Sequence, residues 1–191
     1  MDMNTNIKTP LVLDASKTIL GKEPSEWVVK WWQSFFYPNW RRALSPVYMI
    51  PGKFHNPNDV YMSRTEDEIK KDSKHYKINH NKILLLSPIN WISNGVPEKE
   101  AKMREETKYE IDIIDPKIID ITLDNQTQLG QQCTRISTPM FKIFRLNKYV
   151  TVSDGYWLFL QLPKGEHTIG SFGSCRSGKI QVTMNYDLNI T

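Results

Sequence analysis

The sequence predicts a mainly β domain, an antiparallel β-sandwich or jelly-roll-like fold with two or three helices packed on it. Three stretches carry that expectation. From Lys179 to Ile190 the apolar residues Ile180, Val182, Met184, Tyr186, Leu188 and Ile190 alternate with polar ones, the period of a half-buried strand. Tyr156-Trp157-Leu158-Phe159-Leu160 is apolar on both faces, which suits a central strand covered from both sides. Val28, Trp31, Trp32 and Phe35 fall at i, i+3, i+4 and i+7, the stripe of a core-facing helix that Trp27 and Phe36 widen.

In chain order, residues 1–22 are polar with scattered Leu11, Val12, Leu13, Ile19 and Leu20, and read as an extended arm or edge strand of one domain spanning 1–191. Pro24 stands where a first helical turn tolerates proline, and Pro38-Asn39 ends the aromatic helix. Arg41 to Asn58 is punctuated by Pro46, Pro51, Gly52 and Pro57 and reads as loop. Thr65 and Glu68 have capping-box spacing, opening a short exposed helix from Ile69 to Tyr76. Ile83-Leu84-Leu85-Leu86 reads as a buried strand, and Asn94-Gly95 as a turn. Pro97 then opens a second helix through about Tyr109, whose dense charge marks a solvated face. Ile119, Ile121 and Leu123 alternate against Asp120 and Thr122 in another strand, and Phe141-Lys142-Ile143-Phe144 gives one more. The last forty residues predict a four-strand meander, with Asp154-Gly155 as a hairpin turn and Pro163-Lys164-Gly165 as the next.

Composition narrows the function classes. The chain has 191 residues, 39% hydrophobic and 24% charged, so it is long and apolar enough to bury a real core. A net charge of +4 from intermixed signs gives a mildly basic surface, and no nucleic-acid partner is expected. No window approaches the run of about 20 apolar residues that a membrane span needs. Residues 1–6 lack a cationic stretch followed by an apolar one, so a cytoplasmic chain is expected. Cys133 and Cys175 form no CxxC pair; in a reducing cytosol they stay thiols, whereas oxidised together they would close a loop worth about 4 kcal/mol. His55, His75, His80 and His167 lack metal-ligand spacing, and neither a metal nor another cofactor is expected. Gly173 to Lys179 matches G-x-x-x-x-G-K. However, Ile180 replaces the hydroxyl residue that would hold Mg²⁺ and the segment enters a strand, so it reads as a hairpin loop.

Two sets of residues are candidate sites. Trp40, Trp91 and Tyr156 lie near expected turns and, with Trp157, offer a stacking platform for a carbohydrate or other small ligand. His167 shares a strand face with Ile169 and points inward, where Asp154 or Tyr156 would supply a hydrogen bond; the plain reading is a structural histidine beside a turn. The sharper reading joins Asp154, Glu166 and His167 as the acid–base set of a glycoside-type hydrolase. The leading expectation is a non-catalytic module binding a ligand or a protein partner. The hydrolase comes next, and then self-assembly into a homo-oligomer through an edge strand or the N-terminal arm.

Ser153-Asp154-Gly155-Tyr156-Trp157, Pro163-Lys164-Gly165-Glu166-His167-Thr168-Ile169 and the terminal strand together resemble a family of β-rich proteins with no settled activity. The likeness extends to Lys82 through Asn90, Ile119 through Asp124, Arg135 through Phe141 and the Trp27–Trp32 helix. It implies a β-rich fold and no particular chemistry. Members of that family often carry a cysteine-containing loop and a Trp-Phe-Leu strand where this chain has the lysine-rich stretch 58–81, and many carry export signals.

Overall fold

The computed structural model describes residues 8–36, 45–50, 74–112, 119–143, 148–175 and 180–191. Trp40 and the expected capping box at Thr65 lie outside them. In chain order the elements are β1 (Leu11–Val12), α1 (Pro24–Phe36), β2 (Val47–Met49), β3 (Lys74–Ile78) and β4 (Ile83–Gly95). After a 3-10 turn at Pro97–Lys99 come α2 (Glu100–Asp112), β5 (Asp120–Leu123), β6 (Thr127–Gln128) and β7 (Thr134–Ser137). The last three strands are β8 (Val150–Gln161), β9 (Gly165–Cys175) and β10 (Ile180–Ile190).

The chain is mainly β, with two α-helices and two five-stranded sheets among the described residues. Sheet I is built on β8. Strand β4 runs antiparallel along one edge and β2 adds parallel to β4. The other edge is shared by β1, at Leu160–Gln161, and β7, at Asp154–Trp157. Sheet II has the order β3-β10-β9-β5-β6, with β3 parallel to β10 and the rest antiparallel. Both sheets are therefore mixed where purely antiparallel pairing was expected. The parallel partners, β2 and β3, reach their sheets from long connections rather than hairpins.

Several local expectations are corrected. Asp154-Gly155 does not turn but lies inside β8, and β8 and β9 belong to different sheets, so the four-strand meander is absent. Glycine is required at 155 by the close approach of its ladder partner: a Cβ there would stand 2.5 Å from the Asn90 Cβ and 2.8 Å from the Ile89 carbonyl oxygen. The change of sheet falls at Leu162–Lys164, where Gly165 takes a φ of 138°. Phe141 makes only an isolated bridge to Thr151, residues 47–49 are strand rather than loop, and Lys74–Tyr76 are strand rather than helix.

Strand β4 carries one irregularity. Leu86 pairs with Leu158 and Ile89 with Tyr156, so Ser87 and Pro88 together face the single residue Trp157. Pro88 has no N–H to give the ladder. The Ser87 hydroxyl donates instead to the Tyr156 carbonyl at 2.7 Å. Opposite the bulge, a Cβ at Gly173 of β9 would meet the Pro88 carbonyl oxygen at 2.6 Å, so sheet II touches sheet I closely here.

The two faces of β8 feed two parts of the core. Trp157 and Phe159 join Ile83, Leu85, Val47, Met49 and Ile136 beneath the α1 residues Trp27, Val28, Trp31 and Trp32. Leu158 and Leu160 join Leu84 and Leu86, and the same cluster includes Ile121, Ile169, Tyr186 and Leu188 of sheet II. Helix α2 adds Met103 against Val150 and Val152, and Ile111 against Ile89 and Ile119. Each such side chain contributes about 1.5–3 kcal/mol when fully buried.

Each α1 tryptophan is also fixed by its N–H. Trp27 donates to the Ile19 carbonyl at 2.7 Å, Trp31 to the Ile50 carbonyl at 2.8 Å and Trp32 to the Ser153 hydroxyl at 2.8 Å. At the helix start Glu26 accepts from the Glu23 N–H at 3.0 Å, one half of a reciprocal cap. Ahead of it, Ile19 and Lys22 exchange backbone hydrogen bonds across Leu20 (φ 52°) and Gly21 (φ 72°). Left-handed backbone costs a leucine about 1–2 kcal/mol, and its half-buried side chain lies against the α1 cluster.

Two comparisons test this account. Gly155→Ala is expected to lose about 2 kcal/mol or more in urea unfolding, because the added methyl meets backbone. Gly170→Ala, whose Cβ would find only the Asn185 Oδ1 at 3.6 Å, stays within about 0.5 kcal/mol of the parent. Trp157 is buried with an indole N–H that has no partner among the described residues. Trp31→Phe, which strips a donor from the buried Ile50 carbonyl, is therefore expected to cost about 1 kcal/mol more than Trp157→Phe.

Candidate functional site

Strands β4, β8 and β7 lie side by side, and their register sets out two rows. Trp91 pairs with Asp154, which pairs with Ser137; Ile89 pairs with Tyr156, which pairs with Arg135. Trp91 and Tyr156 are thus diagonal neighbours on adjacent strands. Both are half-buried and pack against Ile89, Ile111 and Ile119 beside Cys133. The last turn of α2 brings Asp112 to the same place.

The ionic part of this face is a carboxylate–guanidinium–carboxylate chain. The Arg135 Nη2 donates to Asp154 Oδ2 at 2.7 Å, and its Nε is shared between Oδ1 and Oδ2 at 3.1 and 3.2 Å. The Gly155 N–H adds a fourth bond to Asp154 Oδ1 at 2.8 Å, and Arg135 Nη1 reaches Asp112. Asp154 is buried, whereas Arg135 and Asp112 remain part exposed. Hydrogen bonding to Asp154, and then to Asp112, holds the Arg135 guanidinium protonated beyond its ordinary range. An Asp154 carboxylate engaged by three N–H donors through four contacts is a positioning group, fixing the arginine beside the aromatic rings. Two rings next to such a chain can take a flat ligand with an apolar face and a polar rim.

Cys133, at the edge of this face, is a free thiol. Burial pushes it up to about 12, so it stays protonated and unreactive at neutral pH. Among the described residues, no group of three or more His, Cys, Asp or Glu side chains is placed to hold a metal ion.

The other sequence-derived candidates are placed differently. His167 does face inward, but its partner is Asp124, not Asp154 or Tyr156: Nδ1 lies 2.8 Å from Asp124 Oδ2, and Nε2 lies 3.0 Å from the Pro163 carbonyl oxygen. Both neighbours are acceptors, so the ring satisfies both only when each nitrogen carries a proton. Asp124 also accepts from the Thr168 N–H at 2.8 Å. It reaches these groups from a tight turn in which Asp124 (φ 52°) and Asn125 (φ 56°) are left-handed, a conformation these two residue types tolerate. Histidine 167 therefore ties the β5–β6 turn to the β8–β9 connection. Glu166 is exposed on the opposite face of β9, and Asp154 lies on sheet I in its bond with Arg135. Trp157, expected among the ligand-facing aromatics, is fully buried with its ring edge-on to Trp31 at 5.2 Å and has no open face.

Of the seven candidates, Trp91, Tyr156 and Asp154 come together. Arg135, Asp112 and Asp124 were not singled out from the sequence. Their partners lie 19, 23 and 43 residues away, and no local pattern joins them.

Arg135→Leu is expected to cost about 3 kcal/mol in chemical denaturation, because it leaves the buried Asp154 carboxylate without its counter-charge. Adding Asp154→Asn recovers at least half of that loss in a double-mutant cycle. Independent additive losses show that the pair is not coupled.

No protein-family model, no curated protein and no solved structure matches this chain.

Proposed function

We propose that the chain is a non-catalytic binding module, its two sheets packed as a sandwich, that stacks a carbohydrate or similar ring-shaped ligand on Trp91 and Tyr156. The observation that carries this reading is the diagonal placement of those two rings beside the Asp112–Arg135–Asp154 chain. Stacking supplies the apolar contact. Asp112 and Arg135, the part-exposed members of the chain, meet the ligand's hydroxyl rim, and Asp154 anchors them from below. The sandwich is supported by one hydrophobic cluster that takes Leu84, Leu86, Leu158 and Leu160 from sheet I and Ile121, Ile169, Tyr186 and Leu188 from sheet II. The acid–base alternative draws less support, since Asp154 is bound to Arg135 and His167 to Asp124.

Titration of intrinsic tryptophan fluorescence with a panel of neutral oligosaccharides tests the reading. A saturable change is expected for at least one sugar, and Trp91→Ala weakens that binding by about tenfold or more while the protein still unfolds cooperatively. No saturable response to any sugar up to roughly 10 mM rules the proposal out.

A further inference from the structure

We propose that the arm preceding α1 exchanges between two copies of this chain, each copy's β1 filling the slot on the other's β8. Within one chain the arm is held by a short set of contacts. Leu11 pairs with Gln161, Val12 with Leu160, and the Leu13 N–H donates to the Phe159 carbonyl at 2.9 Å. Leu13, Ala15, Ile19 and Leu20 then lie along the aromatic core beneath α1. A second copy's arm has the same sequence and fits the same slot with the same contacts.

What favours exchange is the hinge. Ile19 and Lys22 close a two-residue turn whose central residues have φ of 52° and 72°. Such a turn selects Asn-Gly, and here a leucine occupies its first position, with no side-chain hydrogen bond to stabilise a left-handed backbone. Opening Leu20-Gly21 into an extended linker releases that strain. It gives up the two Ile19–Lys22 backbone bonds to water, while the bond from Trp27 to the Ile19 carbonyl is remade between copies. Short strained hinges of this kind promote strand exchange. Strand β7 confines the exchange to the arm, because it already fills the adjoining stretch of the same β8 edge at Asp154–Trp157. The product is a closed two-fold dimer.

The test compares hinge variants after refolding at high protein concentration, with dimer read by size exclusion and light scattering. A Cβ added at Gly21 meets nothing within 4 Å, so Gly21→Ala acts only through backbone strain and raises the dimer share. Leu20→Gly relaxes the turn and lowers the dimer-to-monomer ratio by about tenfold. Exchange is told from any other dimer by mixing chains that carry only Leu11→Cys with chains that carry only Gln161→Cys, in a background where Cys133 and Cys175 are serine. Antiparallel partners are close enough to form a disulfide, so an oxidised heterodimer is expected. A chain that stays monomeric in all three hinge forms overturns the proposal. So does a dimer whose share ignores the hinge, or one that gives no covalent heterodimer.

Discussion

Burial of β8 from both sides is the constraint on which the other elements depend. Every residue of the strand except Tyr156 is buried, including Thr151, Ser153 and Asp154. An apolar stretch can satisfy such a site by packing alone, but a polar one needs a partner for every group. Thr151 donates to the Asn94 side chain at 2.6 Å, the Ser153 hydroxyl accepts from Trp32, and Asp154 takes Arg135. The Ser153 backbone is closed by Thr138, whose hydroxyl accepts the Ser153 N–H at 2.9 Å. The positions of α1, β4 and β7 against the first half of β8 are set by these bonds as well as by shape.

This arrangement makes the face that carries Trp91 and Tyr156 rigid by construction. Tyr156 projects from a strand whose other residues are all buried, and Trp91 from the strand paired with it along nearly its whole length. Neither ring sits on a mobile tip. The ionic chain serves the same end: Asp154 is buried, and it ties Arg135, which in turn reaches Asp112 at the end of a helix. A face built so leaves its side chains little freedom.

What could be read in the sequence follows the range over which each feature is determined. The period-two pattern from Ile180 to Ile190 and the aromatic stripe of the helix are local, and both elements stand where the periodicity put them. So does the strand apolar on both faces, at Trp157 to Leu160. Asp154-Gly155 misleads because two unrelated demands mimic a turn: the aspartate answers Arg135, and the glycine answers the approach of Asn90. The parallel strands at 47–49 and 74–78 are short, and their neighbours are set by distant segments, so no local signal marks them. At the candidate site the aromatic residues announce themselves by type. The charged ones do not, since a lone arginine between Thr134 and Ile136 looks like any solvent-facing strand residue.

The two-for-one mismatch at Ser87-Pro88 acts as a phase inverter for β4. Ahead of it, even-numbered Leu84 and Leu86 look toward sheet II and odd-numbered Ile83 and Leu85 toward α1. Beyond it the parity is reversed: odd-numbered Ile89 and Trp91 take the side of α2, which adjoins sheet II, and even-numbered Ile92 takes the side of α1. Losing a single residue from that stretch would therefore restore a regular ladder, with Ile89 still opposite Tyr156 and Trp91 still opposite Asp154 on its present face. The spare residue is slack in the ladder, so a one-codon loss there can be absorbed while Trp91 and Tyr156 keep the same side.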